Sequence, residues 1–158
     1  MNAPARTGPS IARGKSNQAY ETPPELLEAI KRRFGKLAWD LAATEENAKA
    51  PNYFTPEEDS LKEDWSTLVG TAYLNPPFGS MVPWARKCAS VRDRTGWTLL
   101  LCPSSTGAGW FQEHIVPHGF VLELAPRICF NGKQPFPKDC LLTAFGFGIV
   151  GRGFWRWR

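Results

Sequence analysis

Only two histidines, His114 and His118, occur in the 158 residues, and none of the four cysteines has CxxC spacing. This scarcity argues against a zinc site and against a disulfide framework. Cys88, Cys102, Cys129 and Cys140 sit mostly inside apolar runs and read as buried, reduced thiols. No Gly-x-Ser-x-Gly elbow is present, so Ser104-Ser105-Thr106 near His114 does not read as a hydrolase triad. No apolar stretch approaches the roughly 20 residues that span a bilayer, and the N-terminus lacks a hydrophobic signal core. The expectation is a cytoplasmic protein with no membrane partner and no metal. No internal repeat is visible.

Acid is missing from both ends. Residues 1–20 carry Arg6, Arg13 and Lys15, and residues 151–158 carry Arg152, Arg156 and Arg158, so all 15 acidic residues fall between them. The body is close to neutral while the net charge is +4. Basic ends suit a nucleic-acid binder, and they equally suit solvated tails. The last residues alternate cations with aromatics, as Arg152-Gly153-Phe154-Trp155-Arg156-Trp157-Arg158. That pattern fits phosphates and unstacked bases, or an edge strand whose tryptophans cover a sheet.

Residues 1–18, rich in Pro, Ala, Gly, Ser and Arg, read as a disordered basic leader, and 19–158 as a single domain. Thr22-Pro23-Pro24-Glu25 reads as a helix start, with Thr22 as the cap and Pro23 at the first helical position, and Gly35 as its stop. Strands are expected over Leu37–Leu41, Val69–Leu74, Trp97–Cys102, Phe120–Leu124 and Leu141–Val150, with helices over Val82–Arg94 and Gly109–Ile115. Trp110-Phe111 would pack in the core or rim a pocket. Strands apolar throughout and alternating with helices imply an α/β fold, a mainly parallel sheet covered on both faces. The segment from Phe120 onward lacks a long helix, which predicts an antiparallel C-terminal edge or hairpin.

In open α/β sheets, ligands bind beyond the carboxyl ends of the strands, and Asp40 and Asn75 both fall at such ends. Asn75 opens the tetrapeptide Asn75-Pro76-Pro77-Phe78. A residue before proline is pushed to extended geometry and each proline fixes its own φ, so these four residues form a rigid bracket. It offers side-chain and main-chain carbonyls beside an aromatic face, as a site for one planar amino group would need. The exocyclic amine of adenine is a poor nucleophile because its lone pair is delocalised. Acceptors at Asn75 and at the Pro76 carbonyl would stabilise charge developing on that nitrogen during methyl transfer. Phe78 would stack on the ring, worth about 1–3 kcal/mol per base and comparable with the few kcal/mol that flipping a base out of a duplex costs.

The bracket resembles the Asn-Pro-Pro-aromatic motif of S-adenosylmethionine-dependent amino methyltransferases. From about Tyr20 to about Phe147 the chain is similar to the short phage and prophage DNA adenine N6-methyltransferases, the Dam-like family. Further landmarks are Tyr20-Glu21-Thr22-Pro23-Pro24, Asp40-Leu41-Ala42-Ala43-Thr44, Asn52-Tyr53-Phe54-Thr55, Leu100-Leu101-Cys102-Pro103, Arg127-Ile128-Cys129-Phe130 and Pro135-Phe136-Pro137. The resemblance implies a Rossmann-like methyltransferase fold with helices on both faces. It implies that Asn75, Pro76, Pro77 and Phe78 bind and orient the target adenine, and that Tyr20, Thr22, Pro23, Asp40 and Ala42 border S-adenosylmethionine. Asp59, with Asp64 as the competing carboxylate, would make a polar contact to the cofactor. Double-stranded DNA is the implied partner, with Arg127, Lys133, Arg152, Arg156 and Arg158 as candidate contacts.

The turn Asp40–Thr44 departs from common methyltransferases in having no Gly-x-Gly. No insertion is long enough for a dedicated recognition domain, so a monomer or weak homodimer with short or relaxed specificity is expected, in a bacterial or phage-infected cell. Related chemistry on RNA or on protein glutamine, and a non-catalytic nucleic-acid-binding module, are the competing readings.

Overall fold

A computed structural model describes residues 20–158; the leader expected over 1–18 lies outside the described residues. Among the described residues, seven strands form one sheet in the order β2-β1-β3-β4-β6-β5-β7. The strands are β1 (Leu37–Asp40), β2 (Asn52–Tyr53), β3 (Thr71–Leu74), β4 (Thr98–Pro103), β5 (Phe120–Ala125), β6 (Cys140–Phe145) and β7 (Gly151–Arg156). β6 is antiparallel to both β4 and β5, and the other four pairings are parallel. The carboxyl ends of β1, β3, β4, β5 and β7 therefore share one edge of the sheet.

Two differences from the sequence reading concern the last strands. The run Leu141–Val150 is not one strand: β6 stops at Phe145, and a turn through Gly146, Phe147 and Gly148, all at positive φ, separates it from β7. Apolar residues alone do not reveal this break, because Phe147, Ile149 and Val150 continue the run while standing exposed. The antiparallel strand is also not the edge. Both sides of β6 are taken by β4 and β5, so the chain leaving the turn passes outside β5 and runs parallel to it as the edge strand β7.

Every residue of β3, β4 and β6 is buried, which is why these segments are apolar without alternation. Their side chains nonetheless divide by parity. Leu99 and Leu101 of β4 pack with Leu26 and Ile30 of α1 (Pro24–Phe34), whereas Leu100 and Cys102 pack with Ala85 and Cys88 of α2 (Val82–Ser90).

α1 begins where Pro24 fixes a helical φ and ends at Gly35, at φ 84. Pro23, not Thr22, is the N-cap, and no side chain caps the helix. The Thr22 hydroxyl is engaged elsewhere, as described below. α2 is shorter than the expected Val82–Arg94 because the chain turns after Ser90 and buries Arg94. Its guanidinium donates to the carbonyls of Leu68, Gly70, Thr95 and Trp97, tying the entries of β3 and β4 together. The expected helix near Gly109 is chiefly a π-helical turn, Phe111–Ile115, with Phe111 in the core and Trp110 at the rim of a cavity.

All four cysteines are free, and Cys88, Cys102 and Cys140 are buried while Cys129 is half-buried.

Candidate active site

The bracket Asn75–Phe78 leaves the carboxyl end of β3, whose buried strand fixes where it starts. Pro76 is buried, Asn75 and Phe78 are half-buried, and Pro77 is exposed. The Asn75 amide donates from Nδ2 to the Tyr20 carbonyl at 2.5 Å and to Thr22 Oγ1 at 3.0 Å. Both amide hydrogens are thereby committed, so Oδ1 is the atom with which Asn75 can receive a further donor. Thr22 Oγ1 lies 2.6 Å from the Tyr73 hydroxyl, which is buried within the sheet.

A cavity of about 560 Å³ opens beside this amide. It brings together Tyr20, Thr22, Asp40, Ala42, Asp59, Asn75 and Pro77, seven of the expected site residues, from four separate segments of chain. Pro23 and Pro76 sit next to lining residues without lining it. The cavity also takes in Phe54, from the landmark Asn52–Thr55, and Lys49, Tyr73 and Trp84, which nothing in the local sequence marked as site residues. Aromatic walls with a few acids suit a ligand that has a flat ring, hydroxyls and positive charge.

Asp40 is buried at the end of β1, where its Oδ1 accepts from the Ala42 N–H at 3.3 Å and its Oδ2 from the Lys49 N–H at 3.0 Å. Burial raises the carboxyl pKa above its ordinary value, opposed in part by those two donors. The same carboxylate shapes the turn that follows. Among the described residues only Asp59 and Phe147 are non-glycine residues at positive φ, so Leu41 to Thr44 run without any conformation that demands glycine. Main-chain bonds from Leu41 to Tyr73, from Ala43 to Phe54 and from Phe54 back to Asp40 complete the frame.

Fold geometry separates the two competing carboxylates. Asp59 lies on the cavity wall at φ 51, paired with Lys62 at 2.8 Å. Asp64 does not line the cavity and caps a short turn, accepting from the Ser66 N–H and hydroxyl, bonds that hold its pKa below the ordinary value.

A second cavity, of about 590 Å³, lies on the Phe78 side of the bracket. Tyr20 lines both cavities, and its ring packs against Phe78 with centroids 5.6 Å apart. Phe130 and Phe136 join them at 5.3 and 5.0 Å from Tyr20, while Trp110 and Lys138 lie on the cavity wall. Sequence reading did not single out Lys138. It reaches this place only because the loop after β5 folds back over the bracket. Of the candidate DNA contacts, none lines either cavity: Arg127 pairs with Asp139 at 2.7 Å and Arg152 with Glu123 at 2.6 Å. Lys133, Arg156 and Arg158 are exposed. Trp157, by contrast, is buried, and its indole N–H donates to the Pro126 carbonyl at 2.8 Å. Trp157 and the half-buried Trp155 are thus engaged in packing, whereas Phe154 stands exposed.

Among the described residues no helix is long and apolar enough to cross a membrane, and no group of three or more His, Cys, Asp or Glu side chains is placed to hold a metal ion.

A family model described as DNA N-6-adenine-methyltransferase (Dam) matches residues 10–131. The chain belongs to this Dam family. The match takes in Tyr20, Thr22, Asp40, Asp59 and the whole bracket, and ends before β6 and β7. Two phage proteins named DNA N-6-adenine-methyltransferase are similar to the chain. That of Escherichia phage T1 is 28% identical over 94 residues, which is 60% of this chain and 39% of the relative. That of Haemophilus phage HP1 is 32% identical over 80 residues, 49% of this chain and 44% of the relative. YfdM of Escherichia coli K12 is 36% identical over 69 residues, 41% of this chain and 71% of the relative. The chain thus spans less than half the length of these two phage relatives.

Proposed function

We propose that the chain transfers a methyl group from S-adenosylmethionine to the exocyclic N6 of an adenine flipped out of double-stranded DNA. The observation that carries this reading is the Asn75 amide, whose two hydrogens are committed to Tyr20 and Thr22 while its oxygen stays available at the carboxyl edge of the sheet. Membership of the Dam family supports the substrate class. α1 and α2, packed with opposite-parity residues of β4, are read as helices on both faces of a Rossmann-like sheet, with residues 19–158 as one methyltransferase domain.

The cavity between Asp40, Asp59 and Asn75 fits S-adenosylmethionine. Its volume lies within the range of small-ligand sites, and its acids and aromatic walls match a ligand bearing positive charge, hydroxyls and a base. In this reading Tyr20, Thr22, Pro23, Asp40, Ala42 and Asp59 hold it. When bound, it supplies an electrophilic methyl group.

The chain's own residues do the rest. Asn75 Oδ1 and the Pro76 carbonyl accept from the target amine and stabilise positive charge growing on its nitrogen. Phe78 stacks on the base and offsets part of the cost of flipping. No acid or base side chain stands in the bracket, so the amine proton leaves to solvent. Arg127, Lys133, Arg152, Arg156 and Arg158 contribute contacts to DNA phosphates. The protein acts in the cytoplasm of a bacterial or phage-infected cell, as a monomer or weak homodimer.

The test is radiolabelled methyl transfer to unmethylated plasmid DNA, RNA and protein, followed by nucleoside mass spectrometry. Label recovered as N6-methyladenine from DNA is expected, and abolished by Asn75→Ala with cofactor affinity nearly intact. Label confined to RNA or to glutamine, or no S-adenosylmethionine binding by calorimetry at millimolar concentration, overturns the reading.

A further inference from the structure

We propose that Tyr73 is a positioning residue, whose hydroxyl acts through Thr22 to keep the Asn75 side-chain oxygen turned toward the reacting amine. The inference rests on the assignment of Asn75 as the catalytic amide and adds to it the device that fixes which end of that amide is presented.

The problem is that an asparagine amide is nearly symmetric in shape. Rotation by half a turn about its last side-chain bond exchanges oxygen and nitrogen at little steric cost. With Nδ2 facing the substrate amine, two donors would meet and the site would repel what it must hold. Something must therefore break the symmetry. The Tyr20 carbonyl does so in part, since it is a pure acceptor 2.5 Å from Nδ2 and would repel Oδ1 in its place. Thr22 is ambiguous, because a hydroxyl can accept from Nδ2 or donate to Oδ1 with equal ease. Its preference depends on where its own hydrogen goes.

In this relay the phenol oxygen of Tyr73 accepts the threonine hydrogen. The two hydroxyls are 2.6 Å apart and either can donate, and with Thr22 as the donor its Oγ1 is left as an acceptor only. Thr22 then joins Tyr20 in rejecting the flipped amide. The tyrosine is well suited to this. Its ring is 1% exposed and locked among Leu26, Ile30, Leu99 and Leu101, so the hydroxyl cannot wander. Burial pushes its pKa far up, so the phenol stays neutral across the working range of the protein. Tyr73 and Asn75 are two residues apart on the same strand exit, so the aromatic core sets the position of the first and the bracket that of the second. Thr22, more than fifty residues away in sequence, is the link between them.

This arrangement also explains why a threonine in front of two prolines does not cap α1. Its hydroxyl is turned toward Asn75 and Tyr73, and no side chain caps the helix.

The experiment compares Tyr73→Phe, Thr22→Val, Thr22→Ser and Asn75→Ala in the full chain, using S-adenosylmethionine and unmethylated plasmid DNA. Loss of one neutral hydrogen bond corresponds to about a two- to twelvefold change, so Tyr73→Phe is expected to lower kcat by up to about tenfold. KM for DNA and the calorimetric Kd for S-adenosylmethionine should stay within about twofold. The Thr22→Val rate should fall further and be rescued by Thr22→Ser, which keeps the hydroxyl. A readout independent of turnover is the side-chain amide resonance pair of Asn75 in NMR. Its exchange with solvent should be slow in the wild type and at least several-fold faster in Tyr73→Phe. An inactive Asn75→Ala together with unchanged kcat and unchanged amide exchange in Tyr73→Phe overturns the relay and leaves the assignment of Asn75 standing. A fully active Asn75→Ala overturns that assignment instead.

Discussion

The guanidinium of Arg94 donates twice to the carbonyl of Gly70, at 2.8 Å from Nη1 and 2.7 Å from Nη2. Among the described residues no carboxylate pairs with it; a fan of main-chain carbonyls surrounds it. A lysine offers one compact ammonium and cannot serve this fan, while those carbonyls would lose their donors within the fold. Arg94→Lys should lower stability by about 2–4 kcal/mol in urea titrations, with methyl-transfer activity per folded molecule retained. A loss below about 0.5 kcal/mol would show that water replaces the fan freely.

Asp40 should make stability depend on pH in the direction opposite to that of a salt-bridged acid. Burial raises its folded-state pKa above the ordinary 3.8, so the folded protein holds the proton more tightly than the unfolded chain. The associated stability is fully present below 3.8 and is lost as pH rises through the raised folded value. Measured against non-titrating Asp40→Asn, wild type should lose ground across that window and then level off. A gain with rising pH would mean that the N–H donors of Ala42 and Lys49 outweigh burial.

Thiol reagents should distinguish Cys129 from the rest. Burial raises the pKa values of the thiols of Cys88, Cys102 and Cys140, the last to about 12, so little thiolate forms and access is blocked. Ellman's reagent is expected to modify Cys129 in the native protein and the other three only after denaturation. Fast modification of Cys88, which sits on α2 in the core, would contradict the packing described above.

If the C-terminal cations contact phosphates, replacing Arg156 and Arg158 with alanine should reduce the slope of log affinity against log salt by about 2, from roughly 0.9 per contact. Arg152→Ala should change it less, because that guanidinium is already paired with Glu123. An unchanged slope in the double mutant would assign β7 wholly to the sheet.

What the sequence disclosed and what it hid follow from the range of each interaction. α1 was legible, one residue early at its start, from Pro23-Pro24 and Gly35, and β3 and β4 from short apolar runs, because those signals act within a turn or along one strand. The role of Thr22 was not, since its partners Tyr73 and Asn75 are distant in sequence and a local reading sees only a cap-like residue before prolines. Asp59 and Asp64 lie five residues apart in similar polar company, and only the path of the chain sends one to the cavity and the other to Ser66. The run after Leu141 misled for the converse reason: its residues stay apolar while glycines at positive φ turn the backbone. The convergence of Trp110, Phe136 and Lys138 on Phe78 is purely tertiary.

The glycines at the strand entries give the molecule two ends with different tolerances. A methyl group added to Gly96 would sit 2.4 Å from the Gly70 carbonyl oxygen, and one added to Gly119 would sit 2.4 Å from the Thr143 methyl group. At these two positions a neighbouring segment of chain lies directly against the glycine and almost no side chain has room. The opposite end, where Asp40, Asn75 and the loop carrying Lys138 emerge, is built from side chains standing around open space. Sequence change is therefore more easily accommodated around the two cavities, while Gly96 and Gly119 admit almost none without moving a neighbouring segment of chain.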